Sequence, residues 1–102
     1  MFSHKQRAIL MGLGFQPRRN KRPSAYLSHV WENLDYLDTD GNCLIRVGSR
    51  GVRNDNYTPD YEEFKFWVGN PTRGALARTN SFPKLIAAIA TIRLVSTPIN
   101  PV

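Results

Sequence analysis

The sequence predicts an α+β domain, and three patterns carry that expectation. Ile9, Leu10 and Leu13 form one helical stripe near the start, and Phe82, Leu85, Ile86, Ile89 and Ile92 form a second near the end. Between them, apolar and polar residues alternate on either side of an Asp40-Gly41 pair, the signature of an antiparallel hairpin. At 102 residues the chain is sized for a single small domain, 1–102. Area scaling has folding hide roughly 65% of the surface that an unfolded chain of this mass exposes, enough for one core.

The elements follow in order. Ser3 with Gln6 three positions on is a capping-box pattern, and Gly14 suits a left-handed C-terminal cap, so the first helix spans about Ser3 to Leu13. Residues 16–23, from Gln16 to Pro23, are bracketed by prolines and lack apolar side chains, which reads as an exposed basic loop. Tyr26, Leu27, Val30, Trp31 and Leu34 fit a helix as well as a strand, so periodicity leaves 26–37 ambiguous. The Asp40-Gly41 turn decides for a strand. A two-residue type I′ turn there puts Tyr36 opposite Ile45 and Leu34 opposite Val47 on one face, with Asp35 opposite Arg46 and Leu37 opposite Leu44 on the other. One register satisfies both faces, giving strands of about Val30 to Asp38 and Asn42 to Arg50. Gly51 to Asp60 reads as a loop. In Tyr61 to Val68, Phe64, Phe66 and Val68 alternate with Glu63, Lys65 and Trp67, which predicts a third strand with the first three residues facing the core. Gly69 to Asn80 reads as a second long loop carrying Arg73 and Arg78. Asn80 or Ser81 can cap the last helix, with Pro83 tolerated in its first turn, and 96–102 is an extended tail containing Pro98 and Pro101.

The expected architecture is therefore αβββα: a three-stranded antiparallel sheet with both helices on one face and the other face open. That element order resembles the topology of double-stranded RNA-binding domains. The resemblance covers element order only, and Lys84 stands alone where that family has a lysine-rich start to its last helix. It therefore carries over neither residues nor function.

Composition narrows the chemistry. Cys43 is the sole cysteine and His4 and His29 the sole histidines, so neither an intramolecular disulfide nor a zinc site of metal-ligand spacing is expected. The longest apolar run, Leu85 to Ala90, is far shorter than the roughly 20 residues of a membrane span. Lys5 and Arg7 ahead of Ala8 to Leu13 mimic a secretory signal, but glycines break the stretch and no small-residue cleavage site follows. A cytoplasmic protein without membrane partners is expected. Charge is unevenly placed: Met1 to Trp31 carries +6 with no acid, Glu32 to Glu63 carries −5, and Phe64 to Val102 carries +5. Such basic ends point to a polyanion or to the acidic face of a protein.

Phosphate recognition would use Arg18, Arg19, Lys21 and Arg22 of the basic loop together with Arg73, Arg78 and Lys84, provided the two basic loops converge. Arginine forks match phosphate oxygens and the last helix adds its N-terminal N–H groups. A base could stack on Tyr26 or Trp31. A second reading is a protein-contact face made of Leu37, Arg46, Glu63, Lys65 and Trp67, with Asp35 among them. Pro59-Asp60 and Glu63-Phe64-Lys65 contain the pieces of the PD-(D/E)xK nuclease signature. The aspartate, however, lies three residues from the glutamate instead of on a preceding strand, so catalysis is not expected. Asp38 to Asn42 resembles the start of an EF-hand loop, yet the alignment puts Tyr36 at the first ligand position and Val47 at the bidentate one. Cys43 has no sequence-identifiable base. The expectation is thus a non-enzymatic binding protein without metal or cofactor. Its partner is nucleic acid, RNA or a ribonucleoprotein before DNA, since no helix suited to reading the major groove is evident. The alternative is an interaction module or inhibitor, for example virus-encoded, that docks on an acidic face of a larger host complex.

Overall fold

The computed structural model describes residues 1–18, 31–50 and 64–96. In chain order the elements are α1 (His4–Gly12), β1 (Gln16–Pro17), β2 (Trp31–Leu37), β3 (Cys43–Arg50), β4 (Phe66–Asn70), β5 (Gly74–Thr79) and α2 (Phe82–Ser96). The strands form one antiparallel sheet in the order β1-β2-β3-β4-β5. This α+β meander has five strands, which overturns the three-stranded αβββα expectation and with it the likeness to double-stranded RNA-binding domains.

Both additional strands come from segments read as loops. Gln16 and Pro17 pair with Asp35 and Leu34 at the sheet edge, where a proline without an N–H is tolerated. Only this start of the basic loop and Arg18 are described; residues 19–23 lie outside. Gly74 to Thr79, placed in the long loop Gly69 to Asn80, pairs with β4 instead. Its Ala-Leu-Ala-Arg run has little strand propensity, so pairing with β4 imposes the conformation that local preference does not supply.

The central hairpin has the expected register over most of its length, with Leu34↔Val47, Asp35↔Arg46 and Tyr36↔Ile45. Its turn differs. Type I′ requires positive φ at both central residues, whereas Asp40 is not positive and Gly41 alone is, at 84°. The Gly41 N–H donates to the Asp38 carbonyl at 3.1 Å and the Asp38 N–H to the Asn42 carbonyl at 2.8 Å, closing a three-residue loop. The Asp38 carboxylate holds it by accepting the N–H groups of Asp40 and Asn42 at 2.9 and 2.8 Å. A loop one residue longer than expected must be absorbed. Leu37 consequently pairs with Cys43, and Leu44 is left unpaired as a bulge, 37% exposed. The β4–β5 hairpin repeats the device: Asn70 Oδ1 accepts from the N–H groups of Thr72 and Arg73 at 3.0 and 2.6 Å, and Leu76 is skipped in the register.

One face of the sheet carries Leu34, Ile45, Val47, Phe66 and Val68, and both helices lie on it. α1 starts with the predicted capping box, Ser3 and Gln6 exchanging hydrogen bonds at 2.9 and 3.1 Å. It contributes Leu10, and α2 contributes Leu85 and Ile89, all 0–1% exposed. Burying each such side chain stabilises the fold by roughly 1.5–3 kcal/mol. Phe66 joins the two helical ends, its ring 5.8 Å from both Phe2 and Phe82. At the far end the Arg93 guanidinium, in the last turn of α2, lies 4.7 Å over the Tyr36 ring and donates to the Leu13 carbonyl at 3.4 Å. Phe64 does not join this core, contrary to the alternation argument. The chain bends at Lys65, just before β4, so Phe64 lines a hollow on the opposite face.

Candidate functional site

With the helices on one face, alternation along the strands directs Asp35, Arg46, Trp67 and Arg78 to the other. No described element packs over that face. Its rows are set by register: Asn33 pairs with Gly48, Gly48 with Trp67 and Trp67 with Arg78, while in the next row Asp35 pairs with Arg46 and Arg46 with Gly69. Gly48 provides the space for the half-buried Trp67. A Cβ added there would lie 2.1 Å from the indole Nε1, so the ring lies directly against the β3 backbone.

Asp35 and Arg46 meet in the middle. Arg46 Nε donates to Asp35 Oδ1 at 2.7 Å and Nη2 to Oδ2 at 3.1 Å, a bidentate pair in which Asp35 is only 6% exposed. These hydrogen bonds raise the Arg46 pKa above the ordinary arginine value, so its charge is permanent. Cys43 lies nearby; burial, and then the charge of Asp35, pushes its thiol up to about 11, which leaves little nucleophilic thiolate at neutral pH.

Two hollows adjoin this pair, and Arg46 lines both. The larger, about 320 Å³, lies against Phe64, Trp67, Asn70, Gly74 and Arg78. Arg78 holds its guanidinium 5.4 Å over the Phe64 ring. The smaller, about 200 Å³, lies against Pro17, Arg18, Asp35, Leu37 and Cys43. The face therefore presents Arg18, Arg46 and Arg78 across the sheet, with one carboxylate among them and an indole beside the middle one. Together these can take a flat aromatic ligand carrying negative charge.

The sequence-predicted residues distribute unevenly. Arg18 and Arg78, from the two basic segments, lie on the same face with Arg46 between them. Arg73 is exposed in the turn whose Pro71 and Gly74 border the larger hollow. Lys84 is exposed in the first turn of α2, in the helical layer. Of the alternative set, Leu37, Arg46 and Trp67 lie on the open face and Lys65 is exposed at the bend before β4. Arg19, Lys21, Arg22 and Glu63 lie outside the described residues, as do Tyr26, Asp60 and residues 97–102 of the expected tail, whose first residue, Ser96, instead ends α2. Phe64 is a site residue that alternation missed. Gly48 was the readable signal for the face, because a glycine inside a strand marks close approach of another group.

No group of three or more His, Cys, Asp or Glu side chains able to hold a metal ion occurs among the described residues. No helix among them is long and apolar enough to cross a membrane. The chain matches no protein-family model, and comparisons with curated proteins and with solved structures find no significant similarity.

Proposed function

We propose that the chain is a small non-enzymatic cytoplasmic protein that binds nucleic acid, single-stranded RNA above all, on the open face of its sheet. The observation that carries this reading is the gathering of Arg18, Arg46, Arg78 and Trp67 on one face, around two adjoining hollows. Stacking of a base on an aromatic ring is worth roughly 1–3 kcal/mol, and arginine forks between the stacking sites hold the backbone. A sheet presenting such residues accepts unpaired bases splayed across it, whereas a duplex keeps its bases stacked inside. The basic segment continuing from Arg18 would extend the electrostatic contact.

Fluorescence anisotropy with short RNA, single-stranded DNA and duplex DNA tests this at several salt concentrations. Arg78→Ala should weaken single-strand binding and flatten the slope of log K against log salt by roughly 0.7, the value for one lost phosphate contact on a single strand. Lys84→Ala, in the helical layer, should change neither. Equal effects of the two variants would refute the assignment of the face. Absence of RNA and single-stranded DNA binding would refute the function and leave the Leu37, Arg46 and Trp67 face as a contact for an acidic protein partner.

A further inference from the structure

The hollow beside Trp67 is built around one oriented guanidinium. Asp35 engages the Nε/Nη2 edge of Arg46 at 2.7 and 3.1 Å and is itself 6% exposed, so the carboxylate fixes the plane of the group. A guanidinium carries five N–H donors. The pair with Asp35 uses two of them. The end of the group, with both Nη1 hydrogens and the second Nη2 hydrogen, keeps a two-donor geometry; the Cys43 thiol also lies within reach of the guanidinium, but as a weak acceptor it yields to a base oxygen or nitrogen. Arg46 borders the same hollow as the indole of Trp67, on an adjacent strand.

A guanidinium fork also matches phosphate oxygens, but a phosphate can turn to meet a fork and gains nothing from one held beside an aromatic ring. A fixed plane beside a stacking ring suits two acceptors that lie side by side in the plane of a stacked base. Guanine presents such a pair, O6 and N7, on one edge. Adenine offers a donor beside its N7, and the pyrimidines have no adjacent acceptor pair on that edge. Cytosine alone has one on its Watson–Crick edge, O2 and N3, so a cytosine-centred strand is the control for the guanine arm and should bind no more tightly than uridine. The outer cations, Arg18 and Arg78, are then left for the flanking phosphates.

Resting on the reading of the open face as a single-strand surface, we infer that the hollow between Trp67 and Arg46 is a guanine-selective base site. The base stacks against Trp67 while the Nη1/Nη2 end of Arg46 donates to O6 and N7. Asp35 is the positioning residue. The 320 Å³ volume falls at the small end of the roughly 300–1,000 Å³ range of ligand sites, in keeping with a single base.

The test uses the full chain and a labelled uridine oligonucleotide whose central base is replaced in turn by guanine, inosine, 7-deazaguanine, adenine or cytosine. At about 0.1 M salt, guanine and inosine, which share O6 and N7, should bind roughly tenfold more tightly than the all-uridine strand. Adenine and 7-deazaguanine, which lacks N7, should fall back toward uridine. Arg46→Lys, checked for folding by thermal unfolding, keeps the charge but not the fork, so it should lose the preference, with guanine- and uridine-centred strands then binding alike. Equal binding of all central bases, or a preference that survives Arg46→Lys, overturns the guanine assignment and leaves single-strand binding standing. Absence of binding to every strand overturns both.

Discussion

Replacing Gly48 by alanine tests how the open face is built. An ideal Cβ at that position lies 2.1 Å from Trp67 Nε1, 2.5 Å from Cε2 and 2.9 Å from Cδ1. Comfortable carbon contacts begin near 3.5 Å, so the indole must move by roughly 1.5 Å or turn away. Overpacking of this kind costs about 1–3 kcal/mol. Against it stands the intrinsic gain of alanine over glycine in a strand, about 0.5–1 kcal/mol. The clash wins, and Gly48→Ala should destabilise the protein by about 1 kcal/mol, lowering Tm by roughly 4–8 °C for a domain of this size. The sign should reverse in a Trp67→Ala background, because the three atoms nearest to a Cβ at Gly48 all belong to the indole. There the same substitution should raise stability by about 0.5 kcal/mol, the strand preference acting alone. Thermal and urea unfolding followed by far-ultraviolet circular dichroism on the four proteins of the cycle give the coupling energy directly. A stabilising Gly48→Ala in the parent protein, or no coupling to Trp67, would refute the placement of the indole over β3.

Two further outcomes follow from the core and the charges. Leu85→Ala, at a position 0% exposed beneath α2, should cost about 2–5 kcal/mol in urea unfolding, and a loss below about 1 kcal/mol would contradict the docking of α2 on the sheet. Burial alone would raise the Glu32 pKa, but hydrogen bonds from Arg7 and from the Phe2 N–H outweigh it and hold the carboxyl below its ordinary value. A carboxylate depressed in the folded state adds stability that is complete above its unfolded pKa, near 4, and is lost as pH falls through the folded value. Stability should therefore drop on acidification below about pH 4, and Glu32→Gln should shrink that drop while leaving the core intact; an unchanged acid profile in the variant would show that the pair with Arg7 contributes nothing.

How much was legible in the sequence depended on how many independent constraints met at each residue. The register of the central hairpin was readable because two faces had to agree, Leu34, Tyr36, Ile45 and Val47 on one and the Asp35 and Arg46 charges on the other. The capping box and the α2 stripe were readable for a similar reason, since spacing and residue type coincide there. β5 was not. Its Ala-Leu-Ala-Arg core satisfies no strand rule locally, and its partner strand, together with the turn held by Asn70, determines its conformation. Phe64 shares parity with Phe66 and Val68, and no residue type announces the bend at Lys65 that reverses its side. The Asp40-Gly41 pair suggested the wrong loop length because the Asp38 side chain, by accepting two N–H groups, stabilises a loop one residue longer. Arg46 and Trp67 could be placed on the open face by register alone, whereas Arg78 could join them only once β5 was a strand.

The open face also departs from what stability by itself would select. β3 is the central strand of the sheet, and a glycine inside a strand costs roughly 0.5–1 kcal/mol relative to alanine. Next to it, Asp35 is withdrawn from water to 6% exposure to hold Arg46, although replacing a buried ion pair by well-packed apolar residues is often neutral or stabilising. In the same row as Gly48, Asn33 Oδ1 is buried with no hydrogen-bond partner among the described residues, a further cost of about 1–3 kcal/mol. The opposite face is built mainly of Leu, Ile, Val and Phe packed under two helices, with buried Ser49 beside Glu32, which pairs with Arg7 of α1. Local departures from stability rules tend to collect where a protein meets its ligand. Here three of them lie within two adjacent rows on one face. They form a notch that seats an aromatic ring, a carboxylate that fixes a guanidinium and a carbonyl oxygen that lacks a donor. Solvent alone requires no such arrangement, whereas a planar, anionic ligand would use the ring and the guanidinium together.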